Sequence, residues 1–369
     1  MKKLPIYSPW RTLVLTGFVI LTAGWTAVDG TEKSGYQEDK EQFGHLLERH
    51  MPVWMDRFKV PGVIVALIRN GEHYSTNAWG YADLEDQKPM LPQTVCRVES
   101  ISKSVTARGV MKLAETGKIR LDDPVIKHIH SWEFPETWIK TENVTIRQLL
   151  GHTSGLQLGT LGLEYAPGQE KPSLREALTR EVRFVQEPGT SFIYSNAGFN
   201  LLELMIEDVS GMRFADYMRE EILIPSGMQI ADFEWRDDFP TAVPVGHTVS
   251  GESVPVYVYS EKGAGGLFAN AEDLARFVAS GMLNGFYKQD NALSQHSIRE
   301  LYSPVTEVAG IYAFAADRYG LGHFIETLPD GRTAVFGGGQ GHGWMTHFHM
   351  VPDSGDGIVI LTNSSRSWP

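Results

Sequence analysis

The stretch VPGVIVALIRNGEHYSTNAWGYAD holds two runs rich in β-branched and aromatic residues, about 62 to 69 and 73 to 81. Asn70-Gly71 between them suits a two-residue hairpin turn, so an antiparallel sheet begins here. Just upstream, FGHLLERHMPVWMDRF (43 to 58) repeats apolar residues at helical spacing after a polar stretch around 29 to 41, which predicts one helix. From about 99 to 230 the pattern is helical: ISKSVTARGVMKLAETG, closed by Gly117; TIRQLLGH; SLREALTREVRFV; and NLLELMIEDVSG, closed by Gly211. A further helix follows Asn270, a suitable cap ahead of Ala271, Glu272 and Asp273. Strands return at WMTHFHMVP and GIVILTN, with a turn at Asp353-Ser354-Gly355-Asp356-Gly357.

Strands at both ends with helices between them predict an α+β fold: an antiparallel sheet built from N- and C-terminal strands, flanked by helices, with an inserted, mostly helical lobe. The expected boundaries are one domain over 31–369, with a sheet lobe at about 42–95 and 250–369 and a helical lobe at about 96–249. A functional site should lie between the lobes. Residues 1–30 read as a signal peptide or an N-terminal membrane anchor, because Lys2, Lys3 and Arg11 precede an uncharged run at 12–28. The expected location is therefore exported, periplasmic or otherwise extracytoplasmic, with membrane association possible through 12–28.

Composition narrows the chemistry. A chain of 369 residues with 42% hydrophobic content forms a large core, and a net charge of −12 with no local basic patch argues against nucleic acid as a partner. The single cysteine, Cys96, makes no internal disulfide. Two histidine pairs, His128/His130 and His347/His349, lack the carboxylate spacing of a metal site, and packed or surface histidines fit them better. No metal or organic cofactor is implied. Gly-x-Ser-x-Gly is absent, which argues against a nucleophile elbow.

Ser100 and Lys103 stand three residues apart where a helix should begin, so the amine can reach the hydroxyl. Serine becomes a nucleophile with the help of a base, and lysine serves only when neutral. Bringing its usual value of about 10.4 near 7 takes about 4 to 5 kcal/mol of differential environment, which burial supplies. An isolated Ser-x-x-Lys is more often a helix cap and a solvated lysine. Tyr194-Ser195-Asn196 precedes another helix: a tyrosine beside a lysine can carry a proton as phenolate, and an asparagine can orient a carbonyl or hold the lysine, although a packed tyrosine and a cap also fit. In FGGGQGHGWMTHFHMVP (336 to 352) a glycine-rich turn leads into a strand, where a backbone N–H could complete an oxyanion hole with that of Ser100. A phosphate loop is excluded by the missing Gly-Lys-[Ser/Thr] ending and the following strand.

Taken in order, Ser100-x-x-Lys103, Tyr194-x-Asn196 and the glycine-rich strand entry resemble the serine β-lactamase and penicillin-binding superfamily, class C-like branch, which also holds D-aminopeptidases, D-Ala-D-Ala carboxypeptidases and family VIII esterases. LLGHTSGL (149–156), IPSGM (224–228) and AGGLFANAEDLARF (264–277) add to the likeness, which covers roughly 42 to 364. The resemblance implies acyl transfer: Ser100 attacks a carbonyl, Lys103 and Tyr194 share the proton transfers, and Asn196, Gly338, Gly339, Gln340 and His342 bind substrate. The oxyanion would sit between the Ser100 N–H and one near Gln340. The expected activity is hydrolysis of a small ester, amide or peptide through an acyl-enzyme, as an esterase or β-lactamase. A D-amino-acid or cell-wall peptidase, a carboxypeptidase, and a non-catalytic receptor are the alternatives. Two departures bear on this choice. Relatives begin the third motif with a cation or tryptophan where this chain has Gly337, which disfavours substrates bearing a carboxylate, unless His342 fills the gap. Relatives also continue past GIVILTN into a terminal helix, whereas here TNSSRSWP follows, so one sheet face is expected to be less covered.

Overall fold

In the computed structural model, which describes residues 32–159, 162–288 and 291–367, the Asn70-Gly71 hairpin forms as its sequence demands. Both turn residues have left-handed backbone (φ 52° and 70°), the conformation a two-residue hairpin uses to match strand twist. The turn joins β1 (Gly62–Arg69) to β2 (Glu72–Asp83), and a short β3 (Lys88–Pro89) adds to the edge. β4 (Cys96–Arg97) pairs instead with β7 (Phe268–Ala269), and β5 (Gly246–His247) with β6 (Ser253–Val254). The C-terminal part supplies β8 (Thr306–Glu307), β9 (Arg318–Tyr319), β10 (Phe324–Thr327), β11 (Thr333–Gln340), β12 (Met345–Val351) and β13 (Asp356–Thr362). The main sheet has the order β3-β2-β1-β13-β12-β11-β10-β9-β8. Its two chain ends meet where β1 pairs antiparallel with β13, from Val63 opposite Thr362 to Ile68 opposite Gly357.

Helix α1 spans Glu32–Phe58, longer than the 43–58 its apolar spacing marks, because Glu, Lys and Gln upstream are good helix formers without contributing an apolar stripe. It ends at Lys59, in left-handed backbone at φ 54°, with the Val60 N–H donating to the Met55 carbonyl at 3.0 Å. The single domain expected over 31–369 divides there into a unit containing α1 and a unit of Pro61–Ser365. The expected export segment lies outside the described residues. Within the stretch from 250, α7 (Ala271–Ala279) and α8 (Gln295–Leu301) precede the main-sheet strands, which resume at Thr306, and α7 packs against β1, β2 and β13. The short strands β8 to β10 carry too little alternation to be legible.

The intervening helices are α2 (Ile101–Glu115), α3 (Ile146–Leu150), α4 (Leu174–Glu181), α5 (Asn196–Ser210) and α6 (Phe214–Met218). α5 closes on Gly211 at φ 73°, and Asn270 caps α7 by accepting from the Asp273 N–H at 2.8 Å. α2 lies between α5 and the strands β11 and β12, and almost all of it is buried. Burial on every side forces its polar residues to find partners. Arg108 donates to Ser280 Oγ at 2.6 Å and the Phe277 carbonyl at 2.9 Å, and Ser104 donates to the Gly322 carbonyl at 2.7 Å. This buried helix carries the Ser-x-x-Lys pair at its first turn.

Candidate active site

The chain leaves β4, turns at Glu99 in left-handed backbone (φ 49°), and enters α2 at Ser100. Ser100 occupies the N-cap position, but its side chain makes no capping bond. Its Oγ lies instead 2.9 Å from Lys103 Nζ, so the cap-and-solvated-lysine alternative fails on both residues. Lys103 is 1% exposed and donates to the Ala264 carbonyl at 2.8 Å. Burial lowers its pKa to about 7, against the opposing pull of the Glu99 charge. At the same helix start, the Ile101, Ser102 and Lys103 N–H groups donate to the Val98, Glu99 and Ser100 carbonyls, while the Ser100 N–H has no backbone partner among the described residues.

Tyr194 and Asn196 arrive from the start of α5, which Ser195 caps by accepting from the Gly198 N–H at 3.0 Å. The Tyr194 hydroxyl is hydrogen-bonded to Ser100, and its ring centre lies 4.9 Å from Lys103 Nζ. Burial pushes its pKa well up, which favours the neutral phenol over the phenolate. The ring is wedged between Tyr312 and His152, with centroids at 4.9 and 4.3 Å. Asn196 is buried and its Oδ1 has no partner among the described residues. The expectation that it holds the lysine is therefore replaced by the Ala264 carbonyl.

Sequence reading missed what fixes that carbonyl. Asn200 Oδ1 accepts from the Ala264 N–H at 3.2 Å, and Glu203 Oε2 accepts from the Lys262 and Gly263 N–H groups at 2.6 and 2.7 Å. Thr106 Oγ1 donates to the Gly263 carbonyl at 2.8 Å, and Ser102 Oγ accepts from the Leu267 N–H at 3.0 Å. Asn196, Asn200 and Glu203 follow one another at helical spacing along α5, which was the one available signal.

The glycine run was expected to be a turn, and it is a strand. Gly337, Gly338 and Gly339 lie on β11, and the turn comes after it, closed by the Gly341 N–H donating to the Trp344 carbonyl at 3.0 Å. Glycine is a poor strand former in general, but here packing requires it. A Cβ at Gly339 would stand 2.2 Å from the Val98 carbonyl oxygen, and one at Gly337 would stand 2.6 Å from Phe348 Cε1. The Phe348 ring thus leaves no room for a side chain at Gly337. Gly338 is different, since nothing comes closer to its Cβ position than 3.7 Å, and Gln340 is exposed. β10 pairs with β11 only as far as Phe336, whereas β12 pairs with it through Gln340. Residues Gly337–Gln340 therefore present one backbone edge without a strand partner among the described residues. His342 is exposed and its Nδ1 lies 3.2 Å from Glu164 Oε2.

A cleft of about 470 Å³ opens beside this turn, lined in part by Glu164, Glu252, Tyr257 and His342. The histidine pairs lie elsewhere: His128 Nε2 meets Asp123 at 2.9 Å, and His347 and His349 pack on the Phe336 ring. Cys96 is fully buried, and burial raises its pKa to about 12.

A family model described as Beta-lactamase matches residues 47–368. Protein flp of Staphylococcus aureus (strain N315) is 25% identical over 338 residues, covering 90% of this chain, and the chain spans only 64% of that protein's length. Penicillin-binding protein 4* of Bacillus subtilis (strain 168) is 26% identical over 333 residues, covering 84% of this chain and 70% of its own. Among solved structures, the octameric penicillin-binding protein homologue from Pyrococcus abyssi superposes with a TM-score of 0.75 at 28% identity, over 88% of this chain and 74% of that one. The beta-lactamase/D-alanine carboxypeptidase from Pseudomonas syringae gives 0.71 at 19% identity, over 87% and 94% of the two chains, a likeness of fold alone.

Proposed function

Because the chain belongs to the beta-lactamase family, we propose that it is a serine hydrolase cleaving an ester or amide through an acyl-enzyme on Ser100, with esters preferred over β-lactams. The observation that carries this reading is the Ser100–Lys103 contact at 2.9 Å, with the lysine buried and its pKa near 7. In that setting about half of the lysine is neutral at physiological pH, compared with a few molecules in ten thousand in water.

Ser100 Oγ attacks the carbonyl carbon as neutral Lys103 Nζ takes its proton, and the carbonyl π pair moves onto oxygen. The Ser100 N–H and a backbone N–H from the open Gly337–Gln340 edge meet that oxyanion. As the intermediate collapses, the bond to the leaving group breaks. The leaving group takes a proton from the Tyr194 hydroxyl, which Lys103 replenishes. Water then attacks the acyl ester by the same path in reverse, releasing the acid and restoring Ser100. Asn196 Oδ1, buried without a partner, is free to accept from a substrate N–H or O–H. A positioned base contributes about 10²- to 10⁴-fold and one oxyanion donor about 10²- to 10³-fold.

Substrate preference follows from charge and space. The Phe348 ring leaves no room for a cationic side chain at Gly337, and the cleft beside His342 carries Glu164 and Glu252, which disfavours an anionic substrate there. The acidic cleft also favours a second reading, a peptidase acting on D-amino-acid or cell-wall peptides that present a free amine. Intact mass after treatment with a fluorophosphonate tests the first step: one adduct is expected on the wild type and none on Ser100→Ala. An unlabelled, folded wild type would overturn the hydrolase reading and favour a non-catalytic receptor. Turnover of activated esters, a chromogenic cephalosporin and D-alanyl peptides then orders the substrates.

A further inference from the structure

Glu99 immediately precedes Ser100 and is completely buried, with its backbone in the left-handed region at φ 49°. A non-glycine residue held there costs of order 1 to 3 kcal/mol unless its surroundings fix it. They do. Glu99 Oε1 accepts from Arg97 Nε at 2.8 Å and from the Tyr257 hydroxyl at 3.2 Å, and Oε2 accepts from the Tyr259 hydroxyl at 3.2 Å. The Arg97 guanidinium lies over both tyrosine rings, 4.1 and 4.6 Å from their centres. The carboxylate also touches the strand side of the site. A Cβ at Gly341 would stand 2.4 Å from Glu99 Cδ, and the His342 N–H donates to the Tyr257 hydroxyl at 3.1 Å. One continuous path therefore runs from the turn after β11, through Tyr257, to the residue before the nucleophile.

We propose that Glu99 and Tyr257 are positioning residues that set the distance between the Ser100 N–H and the Gly339–Gln340 backbone, the two sides of the oxyanion site. Neither touches the reacting atoms. Glu99 holds the entry to α2 while Tyr257, braced on Trp344 at 5.4 Å between ring centres, carries that placement to the end of β11. Tyr259 binds the same carboxylate and lies 3.3 Å from the Tyr257 hydroxyl, but among the described residues only Tyr257 accepts from the turn itself, so the two tyrosines are expected to differ in effect. The inference rests on the Ser100 acyl-enzyme reading only for its kinetic consequence.

The test compares Tyr257→Phe with Tyr259→Phe, each losing one buried hydroxyl from Glu99 and keeping its ring over Arg97. Tyr257→Phe is expected to lower kcat for an activated ester and the fluorophosphonate labelling rate about 10- to 30-fold with KM within about twofold, while Tyr259→Phe stays within about threefold. Amide hydrogen exchange at His342 is expected to rise about tenfold or more in Tyr257→Phe alone. Equal losses in both variants, an unchanged rate in Tyr257→Phe, or unchanged exchange at His342 would each overturn the proposal. Should the wild type resist labelling on Ser100, the hydrolase reading falls, and the exchange comparison still decides whether Tyr257 ties down the turn. Glu99→Gln is a harsher change, because it leaves Arg97 as a buried, unpaired charge.

Discussion

The lysine side and the strand side of Ser100 are held by different means. On the lysine side, polar groups are added: Asn200 grips the Ala264 N–H, Glu203 grips Lys262 and Gly263, and the Ala264 carbonyl grips Lys103. On the strand side, atoms are removed: Gly337, Gly339 and Gly341 let β11 and its turn lie against Phe348, Val98 and Glu99. A wall of hydrogen bonds should fail by degrees, since each bond is worth about 1 kcal/mol net. A wall of missing Cβ atoms should fail at once, since any side chain must displace a packed neighbour, at Gly339 the backbone itself.

Lys103 itself stands outside the gradual rule, because it is the proposed base, and its replacement has the largest expected effect. Lys103→Met should lower kcat/KM for an activated ester by about 10²- to 10⁴-fold. In the wild type, kcat/KM should rise with pH through about 7 and then level off, because the neutral lysine is the competent form. The lysine's contribution to stability also improves as pH rises, but over a higher range. The lysine pKa falls from 10.5 in the unfolded chain to about 7 on folding. The penalty is absent above 10.5, builds as pH falls toward 7, and is complete below that, at roughly 5 kcal/mol. Urea melts at pH 6 should show Lys103→Met more stable than the wild type, with the difference shrinking toward pH 10. Loss of stability as well as activity would make Lys103 a structural residue and collapse the distinction between base and wall.

The strand side gives the next effect. Gly339→Ala would place its Cβ 2.2 Å from the Val98 oxygen, 2.3 Å from Thr346 Oγ1 and 3.0 Å from Glu99 Cβ. Displacement of β11 from the helix start should cost about 10²-fold in kcat and about 1 to 3 kcal/mol of stability. Gly338→Ala, on the same strand with nothing nearer than 3.7 Å, should stay within about threefold. Paired kinetics and melts of the two variants sharpen the comparison, and equal damage from both would show that β11 needs glycine for its backbone freedom and not for close approach.

These two walls were unequally legible. Ser100, Lys103, Tyr194 and Asn196 could be read because each pair sits at short helical or extended spacing, and local geometry alone brings them near one another. The helices around them carried their own punctuation in Gly117, Gly211 and Asn270. The contacts of Glu99 with Tyr257 and of Asn200 with Ala264 could not be read, because they join stretches that are distant in sequence and are made by the tertiary fold. The glycine run misled for a related reason: propensity speaks for a turn, and only the close packing of Val98, Glu99 and Phe348 against β11 explains why a strand should be made of glycine. Two-residue strands such as β9, which pairs with the longer β10, and β8, which pairs with β9 at the sheet edge, are fixed by their neighbours and not by their own sequence.

Asn200 supplies the smallest effect and the cleanest check on gradual failure. Its side chain touches neither Ser100 nor Lys103 in this structure; its Oδ1 accepts from the Ala264 N–H, and the Ala264 carbonyl in turn receives Lys103. Asn200→Ala leaves a buried N–H unsatisfied, a loss of about 1 to 3 kcal/mol, while the remaining bonds from Glu203, Thr106 and Ser102 still hold the segment. The lysine anchor should loosen without detaching, so kcat is expected to fall about tenfold with KM little changed. Asn200→Asp separates anchoring from simple packing: its carboxylate can still accept from the Ala264 N–H, so kcat should partly recover even though a carboxyl group is added beside Glu203, whose pKa burial raises to about 8. A drop in Asn200→Ala as deep as that of Lys103→Met would mean that the lysine side also fails all at once, and that one hydrogen bond two steps from the nucleophile carries as much as the base.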